Sequence, residues 1–294
     1  MKSAESEITV SFHNDFAEYQ RKTLKAMVDD INLIEPNNLS ICFFTVYLRR
    51  IPPMPRTFYC ASGCVCPVYH KIEFELFRDC VTRGDDLTPY QSDKILKANY
   101  KDIMLFDWGI HHFHLGSKNG KAFVDRTNHL VYAIVTGADF YCITIGPHGK
   151  WAEKDLMEIV YRNWPKLIER YKVPRVVSLT ENVTDELIKH CRDNHIQTFI
   201  DLGEGNVFAP PGGGYSSSRH SAQAVRMANY WHNQLKLMEN WVRDNIDTIR
   251  DDLRKNHGIN CLDNNHFLLL CDGWPSRFYI LHEETRIVIK SFDL

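Results

Sequence analysis

Two apolar, β-branched runs, Leu130–Val135 and Phe140–Ile145, are separated only by Thr136 to Asp139 with Gly137 inside. That gap suits a hairpin and is too short for the helix a parallel crossover needs. A third run, Ile110–Leu115, lies just upstream, so the middle of the chain predicts three strands of one sheet. Whatever else the chain does, it has to cover this sheet, and the amphipathic stretches on either side supply the means.

His13 to Ile34 repeats Phe16, Tyr19, Leu24, Met27, Val28 and Ile31 at helical spacing. Leu39–Leu48 is a short apolar run that periodicity leaves open between strand and buried helix. His70 to Arg83 predicts a helix with Ile72, Leu76, Phe77 and Cys80 inward, ending at Gly84. Lys154 to Tyr171 is helical with a break before Pro165. Val176–Leu179, a helix from Thr184 to His195, and Gln197–Leu202 suggest a parallel strand, helix, strand unit. After the loop Ala209 to Ser218, which Ser218 or Ser221 can end as a helix cap, one apolar stripe runs from Val225 to Leu253 and predicts one long helix over 221–257. Three short strands, His266–Cys271, Arg277–Leu281 and Arg286–Ser291, close the chain as a meander.

The expected fold is therefore mixed α/β (α+β): a central mixed sheet with flanking helices, one long amphipathic helix and a small C-terminal β-meander. Four stretches follow in order: a mainly helical 1–100, a sheet-centred 101–208, the Gly-rich loop and long helix of 209–258, and the meander of 259–294. The 294 residues, 44% of them hydrophobic, suffice for a large core. A formal charge of −2 rules out a histone-like basic field, so any nucleic-acid contact has to be local. The N-terminus lacks an apolar signal core and no run spans a bilayer, which leads us to expect a cytoplasmic protein without a membrane partner. Nine cysteines, an odd number spread over a long chain, read as free or buried thiols rather than a disulfide framework.

Five of the fourteen histidines (111, 112, 114, 129 and 148) fall between residues 101 and 150. Strand alternation puts His112 and His114 on one face and His111, Phe113 and Leu115 on the other. Arg126 precedes the second strand and His148 follows the third, so adjacent strands can gather His112, His114, Arg126 and His148. Cleavage of an RNA phosphodiester needs such a set: a base for the 2′-hydroxyl, an acid for the leaving oxygen and a cation for the phosphorane. Imidazole titrates near neutrality and suits the proton work.

The order His112-Phe113-His114-Leu115, a loop with Lys118 and Lys121, Arg126, the strand LVYAIV, a turn, the strand FYCITIG and His148 resembles the antiparallel sheet of RelE-like ribonuclease toxins in the barnase, colicin and RelE superfamily. The likeness covers residues 107–150. It implies a metal-independent endoribonuclease of toxin or phage-defence type, with RNA as substrate, Lys118, Lys121 and Lys150 along the RNA backbone, and an antitoxin or other protein partner.

Other readings stay open at this stage. Cys60, Cys64, Cys66 and His70 offer thiolate and imidazole ligands for zinc within a short segment. Gly212, Gly213 and Gly214 with Arg219 could hold an anion ahead of a helix. Arg250 and His257 are similar in spacing to the Arg-x4–6-His signature of HEPN ribonucleases, and His257-Gly258 also suits a helix end. A metal-dependent hydrolase built on His112 and His114 would need Asp107 or Asp139 as its acidic partner. The non-enzymatic alternative is a regulatory or nucleotide- or partner-binding protein that dimerises through the 221–257 helix.

Overall fold

A computed structural model describes residues 8–216, 220–259, 265–272 and 277–293. In chain order the elements are β1 (Thr9–Val10), α1 (Phe12–Lys25), α2 (Leu39–Arg49), β2 (Thr57–Cys60), α3 (Lys71–Arg83), α4 (Ile103–Trp108), β3 (Ile110–His114), β4 (His129–Val135), β5 (Asp139–Pro147), α5 (Asp155–Asn163) and α6 (Asp185–Asp193). They continue with β6 (Ile200–Asp201), β7 (Val207–Phe208), α7 (Ala222–Asp244), α8 (Ile246–His257), β8 (His266–Asp272), β9 (Arg277–His282) and β10 (Val288–Asp293). The mixed α/β class expected from the sequence is the class found.

Contacts divide the chain into two compact units that do not follow chain order. The smaller comprises Met1–Met27, Ile34–Phe43 and Arg226–Leu294; the larger comprises Val28–Leu33 and Phe44–Val225. The smaller unit holds the sheet β1-β8-β9-β10, in which the predicted meander forms and β1 adds in parallel at the β8 edge. Its core is aromatic: Phe16 of α1 lies against Trp231 and Phe278, whose rings stack 4.8 Å apart. The single long helix is in fact two. Asn245 separates α7 from α8, and its side-chain amide donates to the Trp241 carbonyl at 2.8 Å, competing with the main chain. The stripe expected to pair two copies is spent at home, with Trp231, Leu235, Met238, Val242, Ile249 and Leu253 all buried. Arg250 donates to Asn265 at 2.9 Å, and Gly258 closes α8 in the left-handed conformation, as a helix end requires.

The larger unit is built on the sheet β2-β5-β4-β3. The three strands expected from the sequence form its antiparallel part, and β2 joins the β5 edge in parallel. One face packs Ile110, Leu130, Tyr132 and Ile143 against Leu156, Met157 and Val160 of α5. The other packs Phe113, Val131, Ala133, Phe140 and Cys142 against Phe74, Phe77 and Val81 of α3. Each such phenylalanine contributes about 1.5–3 kcal/mol by leaving water. Tyr132 pairs with Thr144 and Ala133 with Cys142, so Ile143 is the extra residue of a bulge and passes to the α5 face.

Several local expectations need correction. Leu39–Leu48 is helical, because Leu39, Cys42, Phe43, Phe44 and Val46 are buried around much of its circumference. Helix α3 buries Phe74, Phe77 and Val81 and leaves Ile72 at 75% and Leu76 at 57% exposure, because the packed face follows the rings that meet Phe113 and Phe140. Val176–Leu179 is not a strand: Arg175 adopts φ +66°, which breaks the extended path, and Leu179 N–H donates to the Asp201 side chain. Strands β6 and β7 pair only with each other, antiparallel, so the parallel crossover is absent from the described residues. No helix of the described residues is long and apolar enough to cross a membrane.

Candidate functional site

The chain enters β3 through a short helix with both ends fixed. The Asp102 carboxylate accepts from Leu105 N–H at 3.1 Å at the start of α4, and Gly109, at φ +73°, ends it and turns the backbone into the strand. Register then sets the side chains: His112 lies opposite Tyr132 and His114 opposite Leu130 on β4. Leu130 pairs with Gly146 and His129 with Pro147 on β5, and His148 follows at the strand end, its N–H bound to the Asn128 carbonyl at 2.8 Å. Arg126 comes from the β3–β4 connection, which is pinned where Asp125 N–H donates to Ser117 and Val124 N–H to Pro89.

His112, His114, Arg126 and His148 line one cleft of about 390 Å³. Leu130, Tyr132, Met104, Tyr100, Asp102 and Lys101 complete much of its wall. His111 points away from it and stacks against Phe113, as alternation requires.

The three imidazoles differ in surroundings. Thr127 N–H donates to Nδ1 of His114 at 3.4 Å, so the neutral ring carries its proton on Nε2. His114 is only 4% exposed, and burial, reinforced by His112, Arg126 and His148, pulls its pKa down to about 4. It is therefore a neutral donor near pH 7. Nδ1 of His112 lies 3.8 Å from an Asp102 oxygen and is buried with no hydrogen-bond partner, so an imidazolium formed there has a carboxylate beside it. His148 is exposed at the rim. Tyr132 anchors the floor by donating from its hydroxyl to the Pro147 carbonyl at 2.9 Å, and burial raises its pKa to about 12.

The cations are more compromised than the sequence suggests. Arg126, exposed, forms an ion pair with Asp93. Lys121 pairs with Asp125 at 2.5 Å and Lys150 with Glu153 and Asp155, while Lys118 is exposed on the same connection. Sequence reasoning missed Asp102, Lys94 and Lys101. Asp102 lies ahead of a six-residue helix too short for periodicity to announce, and the two lysines reach the cleft through tertiary folding that no spacing encodes.

The other candidate sets fare differently. Gly212 N–H donates to the Asp107 carbonyl, Gly213 N–H to Pro210 and Gly214 N–H to Phe106, which leaves none of the three for an anion. The glycine is needed at 212 because a Cβ there would lie 2.3 Å from the Leu105 carbonyl oxygen. Arg219 lies outside the described residues. Ser221 caps α7 by accepting from Ala224 N–H at 3.3 Å. Among the cysteines, Cys60 and Cys64 do come together, but the third sulfur is Cys142; Cys66 bonds the Pro67 carbonyl and His70 lies by the rings of Tyr69 and His129. The carboxylates considered for a metal hydrolase are engaged elsewhere, Asp107 with the buried Arg192 at 2.7 Å and Asp139 with the Tyr141 hydroxyl. A second cleft of about 470 Å³, lined by Trp108, Leu167, Tyr171, Lys166 and Arg170, contains a single imidazole, that of His111.

No family model matches the chain, nor does any curated protein or solved structure.

Proposed function

We propose that the cleft on β3–β5 cleaves RNA at phosphodiester bonds by imidazole acid–base chemistry. The observation that carries this reading is the gathering of His112, His114, His148 and Arg126 around one cavity of about 390 Å³. Such a volume is at the scale of a small-ligand site and accommodates a nucleotide with its phosphate.

In this mechanism Nε2 of His112 takes the proton of the ribose 2′-hydroxyl, and the Asp102 carboxylate beside Nδ1 offsets the charge that the ring acquires. The 2′-oxygen forms a bond to phosphorus while the bond to the 5′-oxygen breaks, and protonated His148 at the rim gives its proton to that leaving oxygen. His114 donates from Nε2 to a phosphoryl oxygen, and Arg126 shifts from Asp93 to the same phosphate, where charge develops in the transition state. The products are a 2′,3′-cyclic phosphate and a 5′-hydroxyl. Asp93 makes the free arginine less available, so it tunes rather than abolishes the clamp. Lys94 and Lys101 on the wall and Lys118 on the connection attract the backbone on either side.

The test is incubation of the full chain with mixed RNA and with DNA of the same sequences. RNA should be cut to cyclic-phosphate ends, and DNA, lacking the 2′-hydroxyl, should stay whole. His112→Ala or His148→Ala should lower the rate by about 10²–10⁴. Undiminished cleavage by the His112→Ala/His114→Ala double variant, or intact RNA with the unaltered chain, rejects the proposal.

A further inference from the structure

Three thiols meet on the opposite face of the same sheet. In the parallel pairing of β2 with β5, Cys60 stands directly beside Cys142. The chain then leaves β2 in a tight turn: Ala61 N–H donates to the Cys142 carbonyl at 2.9 Å, and Cys64 N–H donates to the Ala61 carbonyl at 3.0 Å. Gly63 takes φ +81° within this turn, a conformation that side chains with a Cβ resist. The turn brings Cys64 Sγ to 3.8 Å from Cys142 Sγ, and all three sulfurs lie within 4.8 Å of one another. Cys142 is buried, Cys64 half-buried and Cys60 exposed, so the cluster opens to solvent on one side only.

Two chemistries suit neighbouring thiols. A disulfide needs a sulfur–sulfur bond of about 2.05 Å and consumes two of three groups, leaving the third unsatisfied. A zinc ion holds each thiolate at about 2.3 Å, which places tetrahedrally disposed sulfurs roughly 3.8 Å apart. The 3.8 Å between Cys64 Sγ and Cys142 Sγ fits the second. Arg78 beside Cys60 offsets part of the negative charge that three thiolates and one divalent cation leave behind.

We propose that Cys60, Cys64 and Cys142 form a zinc-binding site, with the fourth coordination position open on the solvent side at Cys60. The ion ties the 61–64 turn to the middle of β5 and replaces the edge that β2 otherwise presents with a closed corner. Binding releases thiol protons, because each ligand coordinates as the thiolate. Cys66 and His70, close in sequence, take no part.

The experiment uses the reduced, metal-free full chain titrated with cobalt(II) as an optical probe and then with zinc(II). One equivalent of cobalt should bind, with thiolate-to-metal charge-transfer absorption and the strong visible bands of tetrahedral cobalt, and zinc should displace it. Loss of an outer-shell partner already costs a site 10–100-fold, so removal of a ligand in Cys60→Ser or Cys64→Ser should weaken binding by about 100-fold or more. Cys66→Ser and His70→Ala should bind as the unaltered chain does. Cys60 is exposed, so its serine variant is expected to fold whatever becomes of Cys142→Ser. Absence of the charge-transfer band, full binding by Cys60→Ser, or equal loss in Cys66→Ser overturns the proposal. RNA cleavage is a separate readout and need not change in any of these variants.

Discussion

The two faces of the β2-β5-β4-β3 sheet use the same strands for different chemistry. On the face packed by α5, the apolar rows of Leu130 and Tyr132 run into a cleft of nitrogen bases. On the face packed by α3, phenylalanine rings from β2, β3, β5 and α3 fill the interior, with His111 stacked among them, and a group of sulfurs gathers at the β2–β5 seam. The nitrogen set comes largely from one strand and its neighbour in the hairpin, where alternation fixes who shares a side. The sulfur set needs a parallel pairing between segments some eighty residues apart, counting Cys60 to Cys142. Local periodicity can announce the first kind of site and is silent about the second.

The sharpest way to break this comparison is by substitution on each face in turn. His114→Ala should reduce RNA cleavage by about 10²–10⁴, measured by single-turnover gel assay, while Cys64→Ser leaves the rate within about twofold. A parallel loss in both variants would mean that the faces are not independent. Next in size is Gly212→Ala. Its new Cβ meets the Leu105 and Phe106 carbonyl oxygens at the end of the helix that feeds β3, and should cost about 3 kcal/mol in urea unfolding, with cleavage and cobalt binding falling together as folded protein is lost.

A third effect separates the faces by pH. Burial lowers both His111, which stacks on Phe113, and His114, at the cleft, to about 4, against about 6.5 when unfolded. Their contribution to stability is complete above about pH 6.5 and drains as pH falls towards 4, by about 1.4 kcal/mol per pH unit for each ring. Inorganic phosphate should raise the His114 titration midpoint and leave that of His111 unmoved, as followed by histidine proton chemical shifts; equal movement of both would deny that only one of them faces the anion site. The smallest change is Tyr132→Phe, which removes the bond to Pro147 and should cost about 1 kcal/mol in thermal unfolding without altering cobalt affinity.

Much of the architecture was readable from residue order. Strands β3 to β5, the C-terminal meander, the break at Trp164 before Pro165 and the Gly84 helix end all follow from local rules of alternation, proline and glycine. The same alternation anticipated His112 and His114 beside Arg126 and His148. What stayed hidden depends on partners far along the chain. Asp102 stands out only once His112 folds beside it, and nothing in the spacing of Cys60, Cys64, Cys66 and His70 says that Cys142 completes the trio. Asn245 misled for the reverse reason: the apolar stripe continues across it, and the decision to stop the helix rests on one amide competing for one carbonyl.

The short strand β2 carries a tolerance that its length conceals. Phe58 stacks on Phe140 at 5.0 Å and Tyr59 on Tyr141 at 5.2 Å, so two ring pairs, one above and one below the sheet, lock the alignment like opposed dowels. Inserting one residue between Phe58 and Tyr59 would not merely lengthen the strand: every side chain beyond it would be turned to the wrong side, and Cys60 would lose its place beside Cys142 although every cysteine remained in the sequence.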